Sequence, residues 1–405
     1  MPEFLAGWSK HRIHPPAGYP MAGYLARERP SSGSLDPLYV RALCLKEGST
    51  TAVILLADVL LISTRRSAVL RRRIGKALKI PAAWVTIAAT HTHSGPLIDT
   101  EPFNFSGMPG DSRMKIFQRR LEHLFSQAAL SASRRVRRVR VSCSTPAIRN
   151  VASDRNRPRL AKTQRFLLFR FQSSRGAALL AIYGCHPTVL GPANCLFSGD
   201  LHGGIASQFE RVVDVALVAN GAAGNVSTRF TRREQSRAEL IRLAGTVIRQ
   251  AKGARSAPLP NCGLASQHTI LRLPLRSTRP SGLHPFPSRR KGRLQTVALE
   301  AALVRAHLRQ SAVFAGKSIT VSISALRIGP VTLVFLPFEI FSSTGRFLWR
   351  TRKIFPLCYA NGYWGYLPGP AAKPGDYEVI SSSFPVTADA ELRRTILALT
   401  KPSVR

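Results

Sequence analysis

Apolar runs no longer than a strand recur along this chain, separated by stretches with helical spacing, and that pattern restricts it to layered α/β architectures. The runs fall at residues 38–45, 51–62, 84–90, 164–171, 177–184 and 212–219. Most lack the polar alternation of a strand with one wet face, so they read as strands covered on both faces. The expected fold is α/β or α+β, a layered mixed β-sheet core flanked by helices. With 405 residues, enough for one large domain or two ordinary ones, and no internal repeat, the chain reads as one domain over 1–405.

Helices are predicted between these runs. Over 63–78, Leu70, Ile74 and Leu78 form one stripe, with Pro81 beyond its end and arginines on the opposite, solvated face. Thr231 with Glu234 reads as a capping box ahead of Leu240, Ile241, Ala244, Val247 and Ile248. Residues 318–326 and 331–335 flank Gly329-Pro330 and suggest a hairpin. The Pro-, Ser- and Arg-rich stretch 277–293 reads as a surface loop insertion.

Composition narrows the function classes. Six scattered cysteines contain no C-x-x-C pair, which argues against a disulfide framework or a zinc finger. The N-terminus shows no signal-peptide pattern and no run is long enough to span a membrane, so the default expectation is cytoplasmic. A formal charge of +38 is extreme but spread along the chain. The clusters at Arg71–Arg73, 134–140 and 289–291 lack interleaved aromatics, so specific nucleic-acid binding is not expected, whereas contact with an anionic membrane surface is.

Five segments carry residue types suited to chemistry. His91-Thr92-His93-Ser94-Gly95-Pro96 closes an apolar run, and two histidines two apart at a strand end can both face the crevice above a sheet. His186 precedes Pro187 at another strand exit, where proline opposes helix. After a third strand, Asn220-Gly221-Ala222-Ala223-Gly224-Asn225-Val226-Ser227 reads either as backbone shaped to approach a ligand or as a tight βα turn. Glu339 in Leu336-Pro337-Phe338-Glu339 puts a carboxylate at a strand end, needing a partner such as a metal or an arginine. Asn361-Gly362-Tyr363-Trp364-Gly365-Tyr366, followed by Asp376-Tyr377-Glu378, supplies phenols that either pack or coordinate.

In this order, and with the opening Ala6-Gly7-Trp8-Ser9-Lys10, Pro15 to Tyr24 and Asp36 to Ala42, these segments resemble the catalytic domain of the neutral/alkaline ceramidase family over nearly the whole chain. The resemblance implies a zinc-dependent amidohydrolase that cleaves the amide bond of ceramide, or of a related N-acyl lipid-like amide, through a zinc-activated water. It implies one Zn²⁺ per chain, held by His91, His186, Glu339 and Tyr366, with Tyr363 the alternative phenol. Nitrogen and oxygen donors in that mixture suit zinc. It further implies His93 as the base, Arg157 and Tyr377 beside the developing oxyanion, and Ser227 as a nucleophile or an orienting residue.

Two departures stand out. The chain stops soon after Tyr377, where the family continues into an immunoglobulin-like domain, and Leu367 to Pro374 replaces the family's Thr-Thr-x-Glu-Glu-Tyr stretch. The second bears on substrate choice. Competing readings are a metal hydrolase of the amidohydrolase-barrel type acting on another substrate class, and a non-catalytic cationic binding protein that keeps the fold. The charge itself generates a test: binding to anionic vesicles should weaken as salt rises, and binding indifferent to ionic strength in a sedimentation assay would remove the membrane reading.

Overall fold

A computed structural model describes residues 3–99, 112–160, 162–260, 262–276 and 316–401; the loop expected over 277–293 lies outside them. Three mixed sheets carry the fold. The first holds β1 (Phe4–Ile13), β2 (Leu38–Glu47), β3 (Thr50–Ala57) and β4 (Val85–Ala89), in the order β4-β3-β2-β1, with Arg137–Arg138 at its edge. The second holds β5 (Arg140–Ser144), β6 (Thr163–Ser173), β7 (Gly176–Tyr183) and β8 (Val215–Asn220), in the order β8-β7-β6-β5. The third holds β9 (Leu264–Pro274), β10 (Ser318–Ile328), β11 (Val331–Phe335) and β12 (Ile354–Leu357), in that order.

Each sheet is mostly antiparallel but ends in one parallel pair: β3 with β4, β7 with β8, and β11 with β12. A parallel neighbour needs a crossover, and a helix supplies it each time. These are α1 (Thr64–Leu78), α3 (Asp200–Phe209) and α5 (Ser342–Arg352); α2 (Ser112–Arg134) and α4 (Arg237–Lys252) cover the outer faces, and α6 (Tyr377–Ser381) and α7 (Ala388–Leu399) close the described chain. Among the described residues no closed barrel forms, so the amidohydrolase-barrel reading fails on architecture. No described helix is long and apolar enough to cross a membrane.

Alternation along the strands sorts side chains into layers. In β2, Leu43 and Leu45 face an inner core shared with Leu167, Phe169 and Phe171 of β6 and Leu333 of β11, while Val40, Ala42 and Cys44 face α1 and α2 through Leu70, Ile74, Leu121 and Phe125. On the far side of the second sheet, Leu179, Ala181 and Tyr183 pack on Leu201 and Ile205 of α3 and Leu243 and Val247 of α4. Covered on both faces, these strands have no position for polar alternation.

Local signals fell as follows. The hairpin forms, with Gly329 at φ +59° opening a two-residue turn between Ile328 and Val331; glycine at the first turn position is what such turns require. The helix at 63–78 forms with Ser63 as its cap, accepting from the Arg66 amide. Its arginine face is only partly solvated, since Arg66 pairs with Asp99 and Glu122 and Arg71 donates to the carbonyls of Ala82 and Val85. The strand expected over 51–62 ends at Ala57, because Asp58 turns inward to take the Tyr39 amide and the buried Arg41 guanidinium at 2.8 Å.

The N-cap moves from Thr231 to Ser236, and no reciprocal box closes, because the Glu239 carboxylate takes the Arg233 amide and the Arg242 guanidinium. Ser236 Oγ accepts from the Glu239 amide, and α4 starts at Arg237. Thr231 instead donates to the Val151 and Thr228 carbonyls, and Ile241 is exposed. Ser236→Ala should therefore lower unfolding stability by about 1 kcal/mol in a denaturant titration; no loss would show that the cap contributes nothing.

Candidate metal centre

The carboxyl ends of the three parallel pairs point into one crevice, where open α/β sheets place their ligands. His91 follows β4, His186 follows β7 and Glu339 follows β11. The segment after β12 ties these ends together: Cys358 N donates to Asn220 O, Ala89 N donates to Tyr359 O, and Asn361 exchanges two hydrogen bonds with Ile87. Histidine 91 takes φ +65° to turn its ring inward, a conformation that a β-carbon disfavours and that recurs at functional sites.

Both His91 and His186 are oriented by backbone. His91 Nδ1 lies 2.9 Å from Leu60 O and His186 Nδ1 lies 2.8 Å from Ala223 O. A carbonyl can only accept, so each Nδ1 carries a proton and Nε2 is the nitrogen turned toward the centre. Those Nε2 atoms converge on Glu339 Oε2, at 3.6 Å from His91 and 2.9 Å from His186. Burial, reinforced by the neighbouring His186 ring against the pull of Glu339, pushes His91 down to about 3, so it is neutral and free to ligate at ordinary pH.

Glu339 is almost fully buried and accepts from Tyr363 and, at 3.2 Å, from Tyr359. Burial alone would raise its carboxyl, but His91, His186 and the Tyr363 hydroxyl hold it well below the usual carboxylate range. Tyr366 arrives on a two-residue strand, Tyr366–Leu367, parallel to Glu339–Ile340 with Glu339 opposite Tyr366. Its hydroxyl is 3.3 Å from His186 Nε2 and accepts from Arg155 Nη2 at 2.9 Å. Burial raises the Tyr366 phenol and Arg155 opposes the rise. Both tyrosines weighed from sequence thus reach the centre, Tyr363 through the carboxylate and Tyr366 through the imidazole.

The ring nitrogens of His91, His93 and His186 all lie within 4.8 Å of one another and could hold a metal ion. His93 differs from the other two. Its Nε2 is 3.4 Å from His91 Nε2, but its buried Nδ1 has no hydrogen-bond partner. Burial, with His91 and His186 close by, keeps this ring well below the ordinary imidazole range. The opening segment covers it: Gly23, at φ +110°, leaves no room for a β-carbon against His93, Tyr24 tilts against the ring at 5.0 Å, and Arg27 Nη2 donates to His93 O.

Of the arginines, the structure brings Arg155 to the centre, and Arg157 is engaged elsewhere. Asp154 Oδ1 accepts the amides of Asn156 and Arg157 in a tight turn that directs alternate side chains apart. Arg157 pairs with Asp376 at 3.0 Å, whereas Arg155 pairs with buried Glu378 and lies over the rings of Tyr366 and Tyr377. No local sequence pattern separates Arg155 from Arg157, two residues away. Tyr359, on Glu339, and Glu378, on Arg155, likewise stand in no local pattern that assigns them a role.

Ser227 is buried next to His186 through a backbone bridge, and its Oγ accepts from the Arg229 amide. The glycine segment before it approaches protein, since Gly224 donates to Ile340 O and a β-carbon there would meet Glu339 O at 2.8 Å. A cavity of about 160 Å³ opens over His91, His93, Glu339, Tyr363, Tyr366 and Tyr377, walled by Met21, Leu25, Leu60, Leu61, Leu97 and Ile98.

Two solved structures share this arrangement of sheets and helices. Neutral ceramidase from Pseudomonas aeruginosa matches 98% of this chain and 74% of its own with a TM-score of 0.74 at 19% identity. A ceramidase complexed with C2 matches 98% and 75%, again with a TM-score of 0.74 at 19% identity. No protein-family model and no curated protein matches the chain. The fold is thus a mixed α/β layered one, and it is the fold of neutral ceramidase, as the sequence resemblance implies.

Titrating Zn²⁺ into chelator-stripped protein should reveal one tight site per chain. His186→Ala, with its circular dichroism unchanged, should weaken that site by more than the roughly 10–100-fold typical of lesser, outer-shell changes. Equal affinity in the variant would place the metal elsewhere.

Proposed function

We propose that this chain is a zinc-dependent hydrolase of the neutral ceramidase family, cleaving the amide bond of ceramide or of a related N-acyl lipid-like amide. The observation that carries the reading is the paired orientation of His91 and His186, each fixed through Nδ1 on a backbone carbonyl with Nε2 aimed at Glu339, beneath an apolar-walled cavity. Ligating histidines are commonly held in this way by the partner of their second nitrogen. His91, His186, Glu339 and Tyr366 would hold the ion, a donor set that fits zinc. When bound, zinc supplies Lewis acidity toward the amide carbonyl and toward water.

His93 lacks the partner on Nδ1 that the two ligating histidines have, which favours it as the base rather than a ligand. Its Nε2 takes the proton of the attacking water as the water oxygen bonds to the carbonyl carbon, then returns it to the nitrogen as the C–N bond breaks. Arg155 and Tyr377 are the donors beside the developing oxyanion, and Glu378 holds the Arg155 guanidinium in place. Met21, Leu25 and Leu97 receive the acyl chain and keep bulk water away. Ser227, whose Oγ accepts from the Arg229 amide, supports the strand beside His186 rather than attacking.

A panel of N-acyl amides, including ceramides of several chain lengths, assayed with and without chelator tests the reading; no chelator-sensitive amide cleavage would overturn it. Arg155→Gln should cut kcat by roughly 10²–10³, and Arg157→Gln by less than about tenfold. The reverse order would return the oxyanion role to Arg157. Metal content separates the histidines: His91→Ala should lose zinc and His93→Ala should keep it while losing activity.

A further inference from the structure

A second cavity, of about 360 Å³, lies behind His186 and shares no lining residue with the one above it. Its size falls in the roughly 300–1,000 Å³ range of small-molecule sites. One wall is a single face of α5, formed by Ser342, Gly345, Arg346, Trp349 and Arg350, and Arg165 stands across from it. The floor is apolar, built from Ile182, Gly184, Gly221, Ala222 and Pro356. Gly345 lets the helix come this close, since a β-carbon there would sit 2.6 Å from Ala222 Cβ.

The charges in this cavity are unbalanced. No aspartate or glutamate lines it. Arg346 and Arg350 are exposed, lie one helical turn apart and have no hydrogen bond or ion pair among the described residues. Like charges at that spacing repel, and an anion seated between them removes the penalty. Arg165 donates to Thr145 O and lies 5.0 Å from the Trp349 ring centre, which fixes its guanidinium at the rim. Three guanidinium forks over an apolar floor suit an acceptor with several oxygens and more than one negative charge, joined to an apolar body.

We propose that this cavity binds a phosphate monoester carrying a short alkyl chain, with the phosphate held by Arg165, Arg346 and Arg350 and the chain lying on the glycine and alanine floor. The floor belongs to the loops that hold the metal centre: Gly184 is two residues before His186, and Ala222 precedes Ala223, whose carbonyl takes the His186 Nδ1 proton. Occupancy therefore stiffens the loop that orients His186. The site stands independently of the amidase reading, because none of its residues belongs to the proposed catalytic set.

The test is calorimetric titration of the metal-replete full chain with hexyl phosphate, dioctanoyl phosphatidic acid and inorganic phosphate. One of the two esters should bind at least about tenfold more tightly than inorganic phosphate; the tighter ester tells a soluble source from a lipid one. The triple variant Arg165→Gln, Arg346→Gln, Arg350→Gln should lose at least about tenfold in ester affinity, and a control with Arg72, Arg175 and Arg211 each changed to Gln less than about twofold. Equal losses in the two triples, inorganic phosphate binding as tightly as the esters, or no ester binding would each overturn the proposal.

Discussion

A carboxylate buried among imidazoles and phenols is the constraint around which the molecule is arranged. Glu339 is 2% exposed, and an isolated charge there would cost several kcal/mol. Its oxygens are met by His186 and His91 from two other sheets and by the hydroxyls of Tyr359 and Tyr363 from the segment after β12. Four chain segments must therefore arrive together before the charge is tolerable. The stitch from Cys358 to Asn361, bonded to both β8 and β4, is the backbone counterpart of the same demand.

Three parallel strand pairs, one per sheet, make that convergence possible. Each delivers its carboxyl end to one side of the molecule, so each sheet contributes one strand-end residue to the crevice: His91, His186 and Glu339. The antiparallel remainder of each sheet supplies the packed interior, where β2 and β6 press Leu43, Leu45 and Phe169 together. Chemistry and stability are thus assigned to different parts of the same sheets. The opening segment adds the last wall, and Gly23 is glycine because His93 occupies the space a β-carbon would need.

The same loops face two ways. Ala223 offers its carbonyl to His186 on one side, and its neighbour Ala222 floors the arginine-lined cavity on the other. Arginine is abundant in a chain with 59 basic and 21 acidic residues. Its placement still separates into kinds: Arg41 is buried and Arg155 partly buried on carboxylates, while Arg346 and Arg350 crowd one helix face with none among the described residues. A buried guanidinium needs a counter-charge in the protein, and an exposed pair one turn apart is relieved by an external one.

The strand runs, the hairpin and the ordered motifs around His91, His186, Glu339 and Tyr366 were legible in the sequence. Continuous apolar stretches encode burial on both faces, and strand-end residues occupy the crevice whatever the details of packing. Cap and turn choices were legible only to within a few residues, as with Ser236 in place of Thr231, since two nearby S/T-x-x-E patterns compete and their tertiary partners decide. Which of Arg155 and Arg157 faces the centre was not encoded locally at all. It follows from the Asp154 turn and from buried Glu378, more than two hundred residues along the chain. Sequence by itself determined the layers and which residues stand at the strand ends; the tertiary structure alone decided which neighbours each of them meets, because orientation depends on distant backbone carbonyls and carboxylates that no local pattern announces.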